Sequence, residues 1–89
     1  MPEIQLTINN AVGLHARPAS LFVQEANKFT SDITVFLEDS EADAKSILDL
    51  LLLGADQGSI ITIRAEGPDA DSALNALQEL HARNFGEKE

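Results

Sequence analysis

Three segments of the chain switch between apolar and polar residues one position at a time, and this alternation narrows the fold more than any other feature. Glu3 to Ile8 places Ile4, Leu6 and Ile8 on one side and Glu3, Gln5 and Thr7 on the other. Asp32 to Glu38 repeats the pattern with Ile33, Val35 and Leu37, and Ser59 to Glu66 repeats it with Ile61, Ile63 and Ala65. Successive side chains of a strand point to opposite faces, so each segment reads as a strand with one face buried and one wet. Parallel sheets are covered on both faces. A half-polar set of strands therefore favours a largely antiparallel sheet with helices stacked on a single side.

Between the strands the spacing changes. Ala19, Phe22, Val23 and Ala26 fall on one helical stripe that Phe29 continues, so a helix of about three turns is expected from Ala16 onward. Pro18 stands in its first turn, where a missing N–H costs little. Ser40 to Ala44 reads as a short edge strand with Ala42 and Ala44 turned inward. Ser46 to Leu53 reads as a short helix, with Ser46 as N-cap, Asp49 at the capping-box position and Gly54 as the C-terminal stop. Ala55 to Gly58 is a turn. Gly67-Pro68-Asp69 opens a last helix that Asp69 is expected to cap, with Ala70, Ala73, Leu74, Leu77 and Leu80 as its buried stripe. The order is β-α-β-β-α-β-α. The fold class is α/β (α+β), an open-faced β-sandwich with a four-stranded antiparallel sheet and three helices on one face.

With 89 residues there is room for one core, expected over residues 1–85 as a single domain, with Gly86 to Glu89 as a short flexible tail. Cysteine is absent, which removes disulfides, thiolate metal sites and a cysteine nucleophile, so such a domain rests on packing. Six Lys and Arg stand against fifteen Asp and Glu, a formal net charge of −9. Nucleic acids and anionic membrane surfaces call for cationic side chains, so neither is an expected partner. The start of the chain has no basic segment leading into an apolar stretch, and the longest apolar run is Leu50 to Leu53. No secretion signal or membrane insertion is expected, and the protein reads as cytoplasmic.

Two histidines are available for chemistry. His15 lies between a glycine-containing loop and the start of the first helix, in Gly13-Leu14-His15-Ala16-Arg17-Pro18. A helix start offers unpaired N–H groups and positive potential, which favours anions and keeps a nearby imidazole neutral, hence nucleophilic. If His15 accepts a phosphoryl group, Arg17 is placed to donate to its oxygens. On spacing alone the bland alternative stands beside this one: His15 as a solvated polar residue and Arg17 as a surface charge. His81, near the end of the last helix, reads as a cation complementing the helix dipole. Neither histidine has further ligands at metal-binding spacing, so no metal and no cofactor are expected. The acids fall on polar faces and in turns, and give no argument for paired-carboxylate catalysis.

The short helix carries more apolar residues than one face can bury. Leu50 and Leu53 share a side, with Ile47 at its margin. Leu48 and Leu52 lie opposite, with Leu51 between. An exposed patch of Ile47, Leu48 and Leu51, joined by Leu21 from the first helix, is expected to bind a partner; the alternative is that a loop or the tail covers it.

The segment Gly13-Leu14-His15-Ala16-Arg17-Pro18-Ala19 resembles the active-site signature of HPr, the histidine-containing phosphocarrier family of the bacterial phosphoenolpyruvate:sugar phosphotransferase system. Ala44-Lys45-Ser46-Ile47 followed by Leu53-Gly54-Ala55 resembles that family's second signature, and Ala65-Glu66-Gly67 matches a strand end. The resemblance covers nearly the whole chain. It implies an open-faced sandwich that carries phosphate without being an autonomous catalyst. The implied acceptor is His15, phosphorylated on Nδ1 by enzyme I, which phosphoenolpyruvate itself charges. Arg17 is the implied phosphate-stabilising partner. Enzyme II A domains receive the group for sugar uptake. Ser46 matches a serine that a dedicated HPr kinase/phosphorylase modifies in many members, impairing transfer. A paralogue that replaces the histidine with glutamine is disfavoured, because His15 is intact. The chain departs from many relatives in carrying Gln24, Asn27 and Asp49 where lysines or a glycine are common, and its net charge is −9; an acidic rim would bear on partners rather than on transfer. A monomer is expected. Two other functions remain open: a nitrogen-branch (NPr-like) regulatory phosphocarrier, and a binding module that uses the Leu48/Leu51 patch without phosphorylation.

Overall fold

The computed structural model describes residues 2–9 and 16–83. Their elements are β1 (Glu3–Thr7), α1 (Ala16–Ala26), β2 (Asp32–Leu37), β3 (Ser40–Asp43), α2 (Ile47–Leu53), β4 (Ile60–Glu66) and α3 (Ala70–Ala82). The strands form one antiparallel sheet in the order β1-β4-β2-β3. β1 and β2 run in the same direction, as their helical connection allows, yet they do not pair. β4 inserts between them antiparallel to both, with Leu6 opposite Ile61 and Val35 opposite Ile63. This register puts the apolar set of every strand on one face.

The three helices cover that face, in an open-faced sandwich. The core joins Leu6, Ile8, Ile33, Val35, Ile61, Ile63 and Ala65 of the sheet side to Ala19, Phe22 and Ala26 of α1, Leu50 of α2, and Ala70, Ala73, Leu74, Leu77 and Leu80 of α3. The stripes expected for the first and last helices are the ones buried, with Val23 and Phe29 packed at the edge. The weak third strand is present at the sheet edge, with Ala42 and Ala44 buried. The opposite sheet face is open to water. Arg64 lies there with its guanidinium 4.9 Å from the Phe36 ring centre and its Nε 3.1 Å from a Glu3 carboxylate oxygen.

Several boundaries differ from expectation. The second strand ends at Leu37, because Glu38 adopts a φ of 53° in the two-residue turn that pairs Leu37 with Ser40. Ile8 lies past the end of β1 but stays buried, its N–H donating to the Ser59 carbonyl at 2.8 Å. Asp69 stands at the N-cap of α3 but makes no side-chain cap bond. Its carboxylate is drawn to the start of β2 instead, accepting the N–H of Thr30 and of Ser31 at 2.9 Å each and the Ser31 hydroxyl. Residues 86–89, the expected tail, lie outside the described residues. No helix among those described is long and apolar enough to cross a membrane.

Candidate functional site

His15, the expected acceptor, lies outside the described residues, as does the loop that precedes it. The structure does describe the residues that follow. α1 begins at Ala16, so Arg17 is in its first turn and is exposed. Pro18 and Ala19 are buried and hold this end of the helix against the core. No acidic side chain occupies the first turn, so its positive end is not neutralised from within the helix.

α2 supplies the other expected residues. The Ser46 hydroxyl accepts the N–H of Asp49 at 3.2 Å, and Gly54 ends the helix with φ 71°. Only half of the expected capping box forms. The Ser46 N–H donates to the Asp43 carbonyl at 3.0 Å, and the Asp49 carboxylate accepts the Asp43 N–H at 3.3 Å. Lys45, the basic neighbour of Ser46, turns away and donates from Nζ to the Phe29 carbonyl at 2.8 Å.

The crowded helix divides as its geometry requires. Leu50 is fully buried and Leu53 half-buried, while Leu48 is 62% and Leu52 76% exposed. Ile47 and Leu51 are also exposed. Leu21 is half-buried and packs on the core, so it borders this surface rather than standing out from it. The sheet edge beside α2 is acidic, a shallow groove lined by Asp32, Glu41, Asp43, Asp49 and Glu66.

Near the end of α3, His81 does more than complement a dipole. Its Nε2 lies 2.6 Å from the Thr7 carbonyl oxygen. A carbonyl only accepts, so Nε2 carries the proton and ties the end of α3 to the end of β1. No local pattern around His81 signals this contact across 74 positions. Asp69 carries the one large perturbation among the described ionisable groups. The Ser31 hydroxyl first, and then the Thr30 N–H, stabilise its charged form and lower its pKa to about 2.

Comparison with known proteins settles the family. The family model for the PTS HPr component phosphorylation site matches residues 2–83. This chain belongs to the HPr family. A phosphocarrier protein HPr from Xylella fastidiosa is 42% identical over 87 residues, spanning 98% of both chains. The crystal structure of an HPr from Thermoanaerobacter tengcongensis superposes with a TM-score of 0.95 at 45% identity, covering 100% of each chain. Crh, the catabolite repression HPr of Bacillus subtilis, matches at 40% identity and TM-score 0.68 over 89% of this chain and 95% of its own; it crystallised as a dimer with a swapped domain. The chain is thus a phosphocarrier of the phosphotransferase system by family, and its open-faced sandwich is the fold of its solved relatives.

Proposed function

We propose that His15 accepts a phosphoryl group on Nδ1 from phosphorylated enzyme I and that the protein passes it to enzyme II A domains for sugar uptake. The observation that carries this reading is the family match over residues 2–83, which spans the Gly13 to Ala19 signature with both His15 and Arg17 in place. Arg17, exposed in the first turn of α1, is the donor to the phosphate oxygens. The transfer forms a bond from phosphorus to Nδ1 and breaks the bond from phosphorus to its carrier atom on enzyme I. Positioning and charge stabilisation do most of this work, so the domain acts as an intermediate between enzymes and not as a catalyst on its own. Ile47, Leu48 and Leu51, with Leu21 at their margin, form the surface that meets enzyme I. Ser46 is a regulatory phosphorylation site for an HPr kinase. The carrier acts in the cytoplasm as a monomer, although Crh shows that the family also tolerates a swapped dimer.

The test is labelling by phosphoenolpyruvate and enzyme I. The His15→Ala chain is expected to lose acid-labile, base-stable phosphate and the His81→Ala chain to keep it. Arg17→Ala is expected to slow transfer in both directions with little change in thermal stability. Equal labelling of the two histidine variants overturns the assignment. A second reading is a nitrogen-branch (NPr-like) regulatory carrier, which shares the Gly13 to Ala19 motif. Offering the phosphorylated protein enzyme II A domains of the sugar and nitrogen branches separates the two.

A further inference from the structure

We infer that Asp49 opposes phosphorylation of Ser46, so that serine modification is held back by a carboxylate fixed in the same helical turn. The inference rests on the reading of Ser46 as a modifiable serine. The argument begins with placement. The Asp49 amide donates to the Ser46 hydroxyl at 3.2 Å, so the Asp49 side chain springs from the residue that the hydroxyl already touches. Its carboxylate is not loose. It accepts the Asp43 N–H at 3.3 Å, which holds it at the junction of β3 and α2. Asp43 adds a second carboxylate there, accepting the Lys45 N–H at 2.9 Å. The positive charge closest in sequence is directed elsewhere: the Lys45 ammonium donates to the Phe29 carbonyl at 2.8 Å.

Phosphorylation by a nucleoside triphosphate forms the Oγ–P bond of Ser46 and breaks the bond from the γ-phosphorus to the bridging oxygen. The hydroxyl proton goes to a base of the kinase, and a nucleoside diphosphate leaves. The step brings a highly charged γ-phosphate up to a serine flanked by carboxylates, and leaves a phosphoserine of charge about −1.5 to −2 beside them. Like charges that close raise the second pKa of the phosphate and disfavour its dianion.

The experiment uses the full chain with phosphoserine installed at position 46 during synthesis, which needs no kinase. Phosphorus NMR then follows its second ionisation, with Asp49 present and in the Asp49→Asn variant. Asparagine keeps the shape and the acceptor for Asp43 but removes the charge. At low salt the second pKa is expected to lie above about 6 with Asp49 and to fall by roughly 0.5 in Asp49→Asn. The difference is expected to close at about 1 M salt. In parallel, an HPr kinase with ATP is expected to phosphorylate Ser46 about three- to tenfold faster in Asp49→Asn than in the parent chain. Identical phosphoserine pKa values in the two chains overturn the inference. If the pKa values differ but the kinase labels neither chain, Asp49 acts as inferred and it is the reading of Ser46 as a kinase site that fails. If the kinase labels both chains equally, Asp49 holds nothing back and the inference fails while the kinase site stands.

Discussion

The two capped helix starts, α2 and α3, carry the same kind of sequence signal and use it in opposite ways. Ser46 spends its hydroxyl locally, on the amide of Asp49 three residues on. The Asp69 side chain makes no bond to its own helix and gives its carboxylate to Thr30 and Ser31, 39 and 38 positions back. The Ser31 hydroxyl answers by accepting the Asp69 N–H at 3.2 Å. One hydroxyl and one carboxylate thus join the turn before β2 to the turn before α3. Ser31 is only 1% exposed, the single buried polar residue among those described. A cap is therefore a local device when its oxygen has nothing else within reach, and a tertiary clamp when a second turn with unpaired N–H groups packs against it. The α2 start is tied only to its own neighbourhood, through Asp43 and Asp49. The α3 end is locked.

The lock is broken most severely at Gly67. Its φ is 146°, and an added Cβ would meet the Ser31 Oγ at 2.6 Å, its Cα at 2.8 Å and its Cβ at 2.9 Å. The Cα cannot swing aside, so the two turns must part. Gly67→Ala is expected to cost about 3 kcal/mol or more, through strained backbone and the clash together. For a domain of this size that is a fall in Tm of roughly 15 °C by thermal unfolding. A loss under 1 kcal/mol would show that the turns are not clamped as described.

Asp69→Asn sharpens the same comparison through pH. The folded pKa of Asp69 is lowered to about 2, below its value in the unfolded chain, so its ionisation stabilises the fold. That contribution is complete above about pH 4 and is lost as pH falls from there toward 2. The parent chain is therefore expected to lose stability across this window. The Asp69→Asn chain is expected to be less stable at pH 6 and to show a shallower decline in Tm between pH 4 and 2. Parallel pH profiles would mean that the carboxylate is not the group held by Ser31 and Thr30.

How much of this was legible follows from the range of each interaction. Alternation in Glu3–Ile8, Asp32–Glu38 and Ser59–Glu66 led to the sheet, and the spacing of Phe22, Val23 and Ala26 or of Leu74, Leu77 and Leu80 led to the buried faces, because burial imposes its period directly on neighbouring residues. The excess of leucines in α2 led to exposed Leu48 for the same reason. What the sequence hid are contacts between residues far apart along the chain: Asp69 with Ser31, His81 with the Thr7 carbonyl, Arg64 between Phe36 and Glu3. Nothing in the residues around His81 or Asp69 marks the distant partner. Glu38 in a positive-φ turn was hidden differently, since a glutamate carries no turn signal and the demand comes from the hairpin that must close. The candidate site residues His15, Arg17 and Ser46 are marked by local motifs, and of these Arg17 and Ser46 lie among the described residues.

Ser46→Ala tests the local cap with a smaller expected effect. Loss of the bond to the Asp49 amide is expected to cost about 1 kcal/mol, measured by denaturant unfolding. The carboxylate of Asp49 does not replace it, because it is engaged with the Asp43 N–H. A cost as large as that of Gly67→Ala would mean that the start of α2 is also a clamp, and the contrast between the two helix starts would dissolve.

Leu48→Asp carries the smallest expected effect on the fold and tests what the open end of α2 is for. Leu48 is 62% exposed in a molecule whose Leu50, two residues on, is fully buried. Removing its side chain from water contributes little to folding, so the change in stability is expected to stay within about 0.5 kcal/mol. The new carboxylate sits in the first turn of the helix, where the dipole tolerates a negative charge, so local helix preference does not oppose it. Any loss seen in a binding experiment is then a loss at the surface and not a loss of folded protein. If Ile47, Leu48 and Leu51 meet enzyme I, a charge at their centre must be desolvated on docking. The association is expected to weaken by about tenfold or more, read as a rise in the KM of enzyme I for this chain with a nearly constant kcat. An unchanged KM would leave α2 exposed without a partner on that face, and a large fall in Tm would show that Leu48 belongs to the core after all.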